Sequence, residues 1–260
     1  MCEILAVNAA QPIDAAPHLR EFFPDSVWHP NGWGLAWREG SVVRLFKEPV
    51  RAIDSELLPR LLDGEIEASL LVAHIRNATR GAMTFENCHP FVLADVTGHT
   101  WVIAHNGTVL SDALVEPYRG DQQGDTDSER VALFLVDRIN RTTARKGGSL
   151  DAIERFSVID AAMVDLAPGN KLNLVVDDGE LTYAHTNTDQ PTLYELRSPG
   201  LTLLCTRPLG NGAWAPVPGC QLVAYRDGEL ALAGTSHGQS FDNELYALII
   251  ARERAAQSRS

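Results

Sequence analysis

The second half of the chain is made of short apolar runs separated by tight-turn signals. After Pro168-Gly169 these runs cover residues 172–176, 181–185, 193–196, 201–206, 222–225 and 229–233. Asp-Gly pairs at residues 178–179 and 227–228 each stand between two neighbouring runs. Asp-Gly between alternating runs favours a two-residue hairpin, and hairpins join antiparallel strands. The pattern therefore predicts an antiparallel sheet in this half of the chain.

Further strands are predicted in the first half of the chain. A Glu-Gly turn at residues 39–40 separates two alternating runs, which indicates another hairpin. An apolar run also begins at residue 3, and because chain ends usually fray, this start must be packed inside the fold. The strands predicted here cover residues 3–7, 32–37, 41–46, 69–75 and 100–105.

Helices are predicted where apolar residues recur at every third or fourth position instead of at every second position. Ser55 can cap a short helix that ends near residue 62, and an acidic segment precedes a longer helix over residues 126–140. Two more are predicted over residues 149–156 or somewhat beyond and over residues 242–256. With no linker or repeat, residues 1–260 are predicted to form one domain of antiparallel sheets covered by helices.

The amino-acid composition argues against two classes of binding partner, nucleic acids and anionic membranes. The chain has 260 residues, 45% of them hydrophobic and 22% charged, and its net charge is -12. It lacks the basic surface that nucleic acids and anionic membranes require. No apolar run approaches the roughly 18 residues of a membrane span. The amino-terminal segment has no basic region before its apolar run and is not a signal peptide, so we expect a cytoplasmic protein.

The four cysteines fall into two groups. Cys88, Cys205 and Cys220 have neither the spacing of a metal site nor a reason to form disulfides in a reducing compartment, so we expect small buried apolar side chains. Cys2 differs because it follows Met1 directly and precedes the strand at residue 3. Removal of Met1 would give this thiol a free α-amine on the same residue.

Three other short segments stand out, although each alone has a plain structural explanation. Asn106-Gly107 at a strand end is typical of a turn, Asp125-Thr-Asp127 is typical of a helix cap, and Arg76 could be a solvated charge. Together with Cys2 they meet the needs of acyl transfer. A terminal cysteine carries its own base, because an α-amine has a pKa of about 7.7–8.0, close to working pH.

The remaining residues match an amino-acid substrate. Asn106 and Gly107 can donate a side-chain and a backbone N–H to a developing oxyanion, and glycine permits close approach. Arg76 is a candidate partner for an α-carboxylate, and Asp127 for an α-ammonium. The sequence therefore predicts cleavage of an amide by a cysteine nucleophile.

Several motifs, in order, resemble the class II glutamine amidotransferases, a branch of the N-terminal nucleophile (Ntn) hydrolases. The resemblance extends over most of the chain and is nearest to the short stand-alone, YafJ-like branch. The motifs are Met1-Cys-Glu-Ile-Leu5, Asn31-Gly-Trp-Gly-Leu-Ala36, Ala73-His-Ile-Arg-Asn-Ala-Thr-Arg-Gly81, Glu86-Asn-Cys-His-Pro-Phe91, Ala104-His-Asn-Gly107, Gly124-Asp-Thr-Asp-Ser-Glu129, Leu181-Thr-Tyr-Ala-His185, Arg207-Pro-Leu209 and the stretch from Trp214 to Pro218.

The resemblance implies an α+β fold, a four-layer αββα sandwich with two stacked antiparallel sheets. It also implies the site. Cys2 is the nucleophile and its freed amine the base, while Asn106 and Gly107 form the oxyanion hole. The glutamyl group is bound by Arg76 with Thr79 and by Asp127, and Trp33 lies on a loop that lines the pocket. Three histidines stay as structural framework: His74, His89 and His105.

Two positions depart from the family pattern. Arg80 stands where the larger synthase-linked relatives carry a second histidine, and Asn31 stands where relatives usually carry an aspartate. Arg80 could strengthen carboxylate binding or reach a bulkier substituent, and Asn31 removes one negative charge near the entrance. Both changes bear on the leaving group rather than on cleavage itself.

The sequence leaves several functions open. The first is glutaminase-type hydrolysis of glutamine to glutamate and ammonia, with or without a separate ammonia-accepting subunit. Alternatives are a γ-glutamyl amidohydrolase of thiol metabolism, a non-catalytic glutamine-binding subunit, and a general peptidase or acylase of the same superfamily. No phosphate loop, flavin motif or nucleotide motif follows residue 150, so no cofactor and no metal is expected.

Overall fold

The structure is a computed structural model, and it describes residues 2–78, 81–244 and 246–248. The helices are α1 (Ala16–Phe22), α2 (Leu57–Leu62), α3 (Asp127–Lys146) and α4 (Ala152–Leu166). The strands are β1 (Glu3–Asp14), β2 (Trp33–Glu39), β3 (Val42–Glu48), β4 (Glu67–Ile75), β5 (Phe91–Ala94), β6 (Thr100–His105), β7 (Leu174–Asp177), β8 (Thr182–Thr186), β9 (Tyr194–Ser198), β10 (Leu201–Cys205), β11 (Ala215–Pro216), β12 (Gln221–Arg226) and β13 (Glu229–Ala233).

The strands form two antiparallel sheets that stack face to face. The first has the order β11-β9-β10-β1-β4-β2-β3, and the second has the order β13-β12-β8-β7-β6-β5. Helices α1 and α2 cover the outer face of the first sheet, and α3 and α4 cover the outer face of the second. These are the four layers of an αββα sandwich, so the expected α+β fold is confirmed.

Alternation along the strands distributes apolar side chains between the layers. In β1, Ile4 and Ala6 point into the core between the sheets, whereas Leu5 and Val7 pack under α1 and α2. Successive residues of a strand face opposite sides, so a strand buried on both faces is an unbroken apolar run. This explains why the chain can begin its sheet three residues from the terminus.

Most predicted elements are present, and several extend further than expected. The hairpin of β2 and β3 turns at Gly40, β6 and β13 have the predicted bounds, and α4 continues to Leu166. Helix α3 continues to Lys146 and ends at Gly147, whose φ of 75° is the left-handed conformation that glycine adopts readily. The expected helix over residues 242–256 lies largely outside the described residues.

The sequence analysis missed α1, β5 and the two-residue strand β11. Pro12, Pro17, Pro24 and Pro30 give this part of the sequence no helical spacing, but Pro17 occupies the first turn of α1, where its missing N–H costs nothing. Strand β5 is only four residues long, so its alternation is too short to distinguish from a loop. In the described part of the chain, no helix is long and apolar enough to cross a membrane.

Candidate active site

The predicted site residues meet where several elements begin or end. Strand β1 starts just after Cys2, β4 ends just before Arg76, β6 ends just before Asn106, and α3 begins at Asp127. Because Glu3 pairs with Ile75 across the first sheet, Cys2 and Arg76 are brought side by side. A cavity of about 60 Å³ opens here, and its lining includes Cys2, Arg76, Asn106, Gly107 and Asp127.

The thiol of Cys2 is held by the backbone of the loop after β4. Its Sγ accepts a hydrogen bond from the Asn77 N–H at 3.3 Å and lies 3.6 Å from the Asn77 carbonyl oxygen, to which it can donate. Burial raises the pKa of the Cys2 thiol, although the Asn77 N–H and the positive charge of Arg76 act in the opposite direction. At neutral pH this thiol therefore needs a proton acceptor before it can attack.

Arg76 is buried, and carbonyl oxygens orient its guanidinium. Nη1 donates to Ala82 O at 2.9 Å, and Nη2 donates to Gly81 O at 3.3 Å. The backbone N–H of Arg76 donates to Gly32 O at 2.8 Å. A guanidinium fixed in this way at the cavity wall can present a planar fork of donors to a carboxylate.

Asn106 and Gly107 lie next to Cys2. The Asn106 side-chain amide donates to the carbonyl oxygen of Cys2, and the Asn106 backbone N–H donates to Asn173 O at 2.8 Å. A Cβ built on Gly107 would lie 2.1 Å from both His105 Nε2 and Lys171 O, so no side chain fits at this position. The Asn106 amide is therefore held against the Cys2 backbone, and Gly107 leaves the adjoining cavity wall without a side chain.

Asp127 is the first residue of α3. The preceding Thr126 caps the helix by accepting a hydrogen bond from the Glu129 N–H at 3.2 Å. The Asp127 carboxylate accepts a bond from the Val109 N–H at 2.8 Å, which links the helix to the segment after Gly107. This bond fixes a carboxylate on the cavity wall.

A second loop is tied to the start of α3. Asn87 donates to the Asp125 carboxylate at 2.5 Å and accepts from the Asp125 N–H at 3.0 Å. Gly124 approaches Asn87 so closely that a Cβ would lie 2.2 Å from its Oδ1. These contacts join the loop that contains Asn87 to the start of α3. Because the same loop orients Arg76, the contacts also help to position the guanidinium.

The three predicted framework histidines are all buried. His105 Nδ1 lies 3.0 Å from Ser128 Oγ, and its Nε2 lies 3.1 Å from Lys171 O. The rings of His74 and His89 lie against each other, with centroids 4.3 Å apart and planes tilted by 30°. Burial lowers the pKa of all three, to about 3 for His74. All three imidazoles are therefore neutral at physiological pH.

Trp33 is not on a loop that lines the pocket, so that expectation was wrong. It begins β2 and is fully buried, where its ring contacts Phe23 and its Nε1 donates to Glu48 at 3.1 Å. An aromatic side chain at the start of a strand buried on both faces is directed into the core. Thr79 and Arg80 lie outside the described residues.

Other predicted residues also differ in part from expectation. Asn31 accepts a hydrogen bond from the Ala78 N–H at 2.8 Å, so it supports the loop after Arg76. Cys88 and Cys205 are buried as expected, but Cys220 is partly exposed and has a positive φ of 56°. A turn between β11 and β12 leaves Cys220 at the surface.

Two cavity residues were missed from the sequence. Lys171 is buried, and burial lowers its pKa, while the neighbouring Cys2 acts to raise it. Tyr246 also lines the cavity, and its hydroxyl lies 3.1 Å from Thr108 Oγ1. Neither belongs to a recognisable motif. Lys171 reaches the cavity through the sheet register, and Tyr246 reaches it through the path of the chain after β13.

The fold has counterparts among solved structures. A phosphoribosylpyrophosphate amidotransferase of Bacillus subtilis superposes with a TM-score of 0.67 at 13% identity, over 90% of this chain and 49% of that one. A glutamine aminotransferase class-II domain protein of Silicibacter pomeroyi superposes with a TM-score of 0.59 at 18% identity, over 88% and 97%. At these identities the likeness concerns the fold.

Sequence comparison gives the family. Residues 1–199 match the profile of the class-II glutamine amidotransferases. The YafJ protein of Escherichia coli (strain K12) is 30% identical over 192 residues, which cover 73% of this chain and 74% of YafJ. The chain therefore belongs to the class-II glutamine amidotransferases.

Proposed function

We propose that this chain hydrolyses the γ-amide of glutamine through a γ-glutamyl thioester on Cys2, after removal of Met1 has freed the Cys2 α-amine. The observation that carries the proposal is the convergence of Cys2, Arg76, Asn106, Gly107 and Asp127 on one cavity. These residues come from four separate parts of the chain. Because these separate parts of the chain line the same cavity, a shared function at this site is better supported than four independent structural roles.

The surroundings of the thiol support the α-amine as the base. Among the described residues, no side-chain base is hydrogen-bonded to Sγ, whose partners are the backbone groups of Asn77. Burial holds the pKa of the thiol above its ordinary value, so attack requires proton transfer. An α-amine on the same residue, with a pKa of about 7.7–8.0, can accept that proton and later give it to the departing ammonia.

The glutamyl group is proposed to lie between two charged side chains. Arg76 binds its α-carboxylate and Asp127 binds its α-ammonium, which places the γ-carboxamide near Cys2. The amide N–H groups of Asn106 and Gly107 stabilise the tetrahedral oxyanion, and one such donor typically lowers a barrier by ~2.7–4 kcal/mol. Water then cleaves the thioester and releases glutamate.

Ammonia is proposed to leave this chain rather than react at a second site within it. Strands β7–β13 follow residue 150, and each pairs into one of the two sheets that form the hydrolase sandwich. The proposal therefore treats residues 1–260 as one amidotransferase domain. Any use of the ammonia would require a site outside these two sheets.

A substrate panel with matched variants tests the proposal. Wild-type protein, shown by mass to lack Met1, should release glutamate and ammonia from glutamine. Cys2→Ala should reduce release to background, and Cys220→Ser, at a partly exposed thiol outside the cavity lining, should retain it. Faster cleavage of γ-glutamyl peptides than of glutamine would favour the γ-glutamyl amidohydrolase instead. Cleavage of α-linked peptides alone would contradict the proposal.

A further inference from the structure

Two buried histidines in ring contact beside the cavity, His74 and His89, have an unusual hydrogen-bonding state. His74 and His89 are almost completely buried, yet among the described residues none of their four ring nitrogens has a hydrogen-bond partner. The nearby His105 is equally buried, but both of its ring nitrogens are paired. The unpaired state is therefore particular to this pair rather than general to buried histidines here.

A buried polar atom without a partner costs free energy, roughly 1–3 kcal/mol for a neutral group. A neutral imidazole carries one donor and one acceptor, so each ring has two such atoms to satisfy. Ordered water is the usual partner of buried polar groups that protein atoms do not reach. Ordered water is therefore the expected partner of the polar atoms of both rings.

The position of His89 connects this requirement to the reaction. His89 lines the cavity that also contains Cys2, whereas His74 lies against His89 but is not among the residues that line the cavity. The cavity volume of about 60 Å³ exceeds the ~10–15 Å³ that one water requires. A water bonded to His89 would thus share the cavity with the sulfur.

We propose that His89 binds the water that hydrolyses the γ-glutamyl thioester. The inference rests on the proposed function, because it assigns the second half of that reaction. The water oxygen adds to the thioester carbonyl carbon and its proton passes to the α-amine of Cys2. The C–S bond then breaks, the thiolate takes the proton back, and glutamate leaves. His89 acts as a positioning residue.

Competition between water and hydroxylamine for the thioester tests this inference. With glutamine as substrate, attack by water gives glutamate, and attack by hydroxylamine gives γ-glutamyl hydroxamate. His89→Phe keeps an aromatic ring but removes both nitrogens, so the ratio of hydroxamate to glutamate should rise about tenfold, as expected for the loss of one hydrogen bond to water. The ratio is independent of how much of the variant is folded.

His74→Phe is the matched control, because it changes the other ring of the pair without changing the cavity lining. Its product ratio should equal that of the wild type, and His89→Asn, which retains a donor and an acceptor, should return toward it. Equal ratios for His89→Phe and wild type, or equal shifts in both phenylalanine variants, would overturn the water site. A wild type that forms neither product would instead refute the proposed function.

Discussion

At Gly107 a single added methyl group would meet two fixed atoms. Its Cβ would lie 2.1 Å from His105 Nε2 and from Lys171 O, and real Cβ contacts are never this short. The His105 ring and the Lys171 backbone are both buried, so neither can move aside without disturbing the sheet. Glycine at this position is thus a requirement of close packing beside the proposed oxyanion hole.

Gly107→Ala should therefore lower kcat for glutamine hydrolysis by roughly 10²-fold or more, the effect of losing an oxyanion donor. Displacement of the 106–107 backbone would move its N–H groups away from the position of the oxyanion. Steady-state kinetics would measure this. Gly148→Ala is a suitable control, because a Cβ there meets nothing within 4 Å, and it should leave kcat unchanged. An unchanged kcat in Gly107→Ala would contradict the placement of the oxyanion hole.

At the scale of the element, the first turn of α3 both begins a capped helix and contributes to the cavity wall. Thr126 caps the helix, and the next residue, Asp127, lies on the cavity wall. Thr126→Ala should cost about 1 kcal/mol in the free energy of unfolding, since one N–H at the helix start loses its acceptor. It should also raise KM for glutamine, because fraying of the first turn moves the Asp127 carboxylate.

Urea unfolding and steady-state kinetics on the same protein sample measure the two effects of Thr126→Ala. Thr142→Ala is the control within the same helix, because its hydroxyl donates to Arg138 O and accepts from the exposed Arg145 side chain, and it does not cap the helix or line the cavity. It should change neither quantity by a measurable amount. A Thr126→Ala variant that loses stability without a change in KM would show that the cap does not position the Asp127 carboxylate for the substrate.

Elements with a strong local signal were predictable from sequence, and those set by distant contacts were not. The hairpin of β2 and β3 followed from the alternation around Gly40, and the start of α3 followed from its acidic cap. Helix α1 was missed because its defining signal, Pro17 in the first turn, also fits an irregular stretch. Strand β5 was too short to show a period.

The same distinction applies to the site. Motifs identified Arg76, Asn106, Gly107 and Asp127, and the structure brings these residues to one cavity with Cys2. Lys171 was unpredictable because it reaches the site through its pairing with Thr108 across 63 residues of chain. Trp33 was misplaced because a motif gives proximity in sequence but not the direction of a side chain.

At the scale of the whole molecule, buried neutral histidines link stability to pH. Burial lowers the pKa of His74 to about 3 and of His185 to about 4. In the unfolded chain a histidine takes up a proton near its ordinary pKa of about 6.5, so the unfolded state binds more protons below that pH. Stability should therefore fall as the pH falls from about 6.5 toward the folded values.

Urea unfolding at about pH 7.5 and about pH 5 would measure this loss, which reaches up to ~1.4 kcal/mol per pH unit for each histidine. His74→Phe removes one titrating group, so its stability should fall less between the two pH values than that of the wild type. An equal fall in both proteins would show that His74 does not remain neutral in the folded state.

The central claim is that Cys2, as a processed chain terminus, is the nucleophile of a glutamine-specific site. Intact-mass spectrometry before and after treatment with a diazoketone analogue of glutamine tests it most directly. The account predicts a chain that lacks Met1 and gains one adduct, located on Cys2 by peptide mapping. Excess glutamine should protect Cys2, and Cys2→Ala should remain unlabelled. A chain that keeps Met1 and forms no adduct on Cys2 would contradict the account.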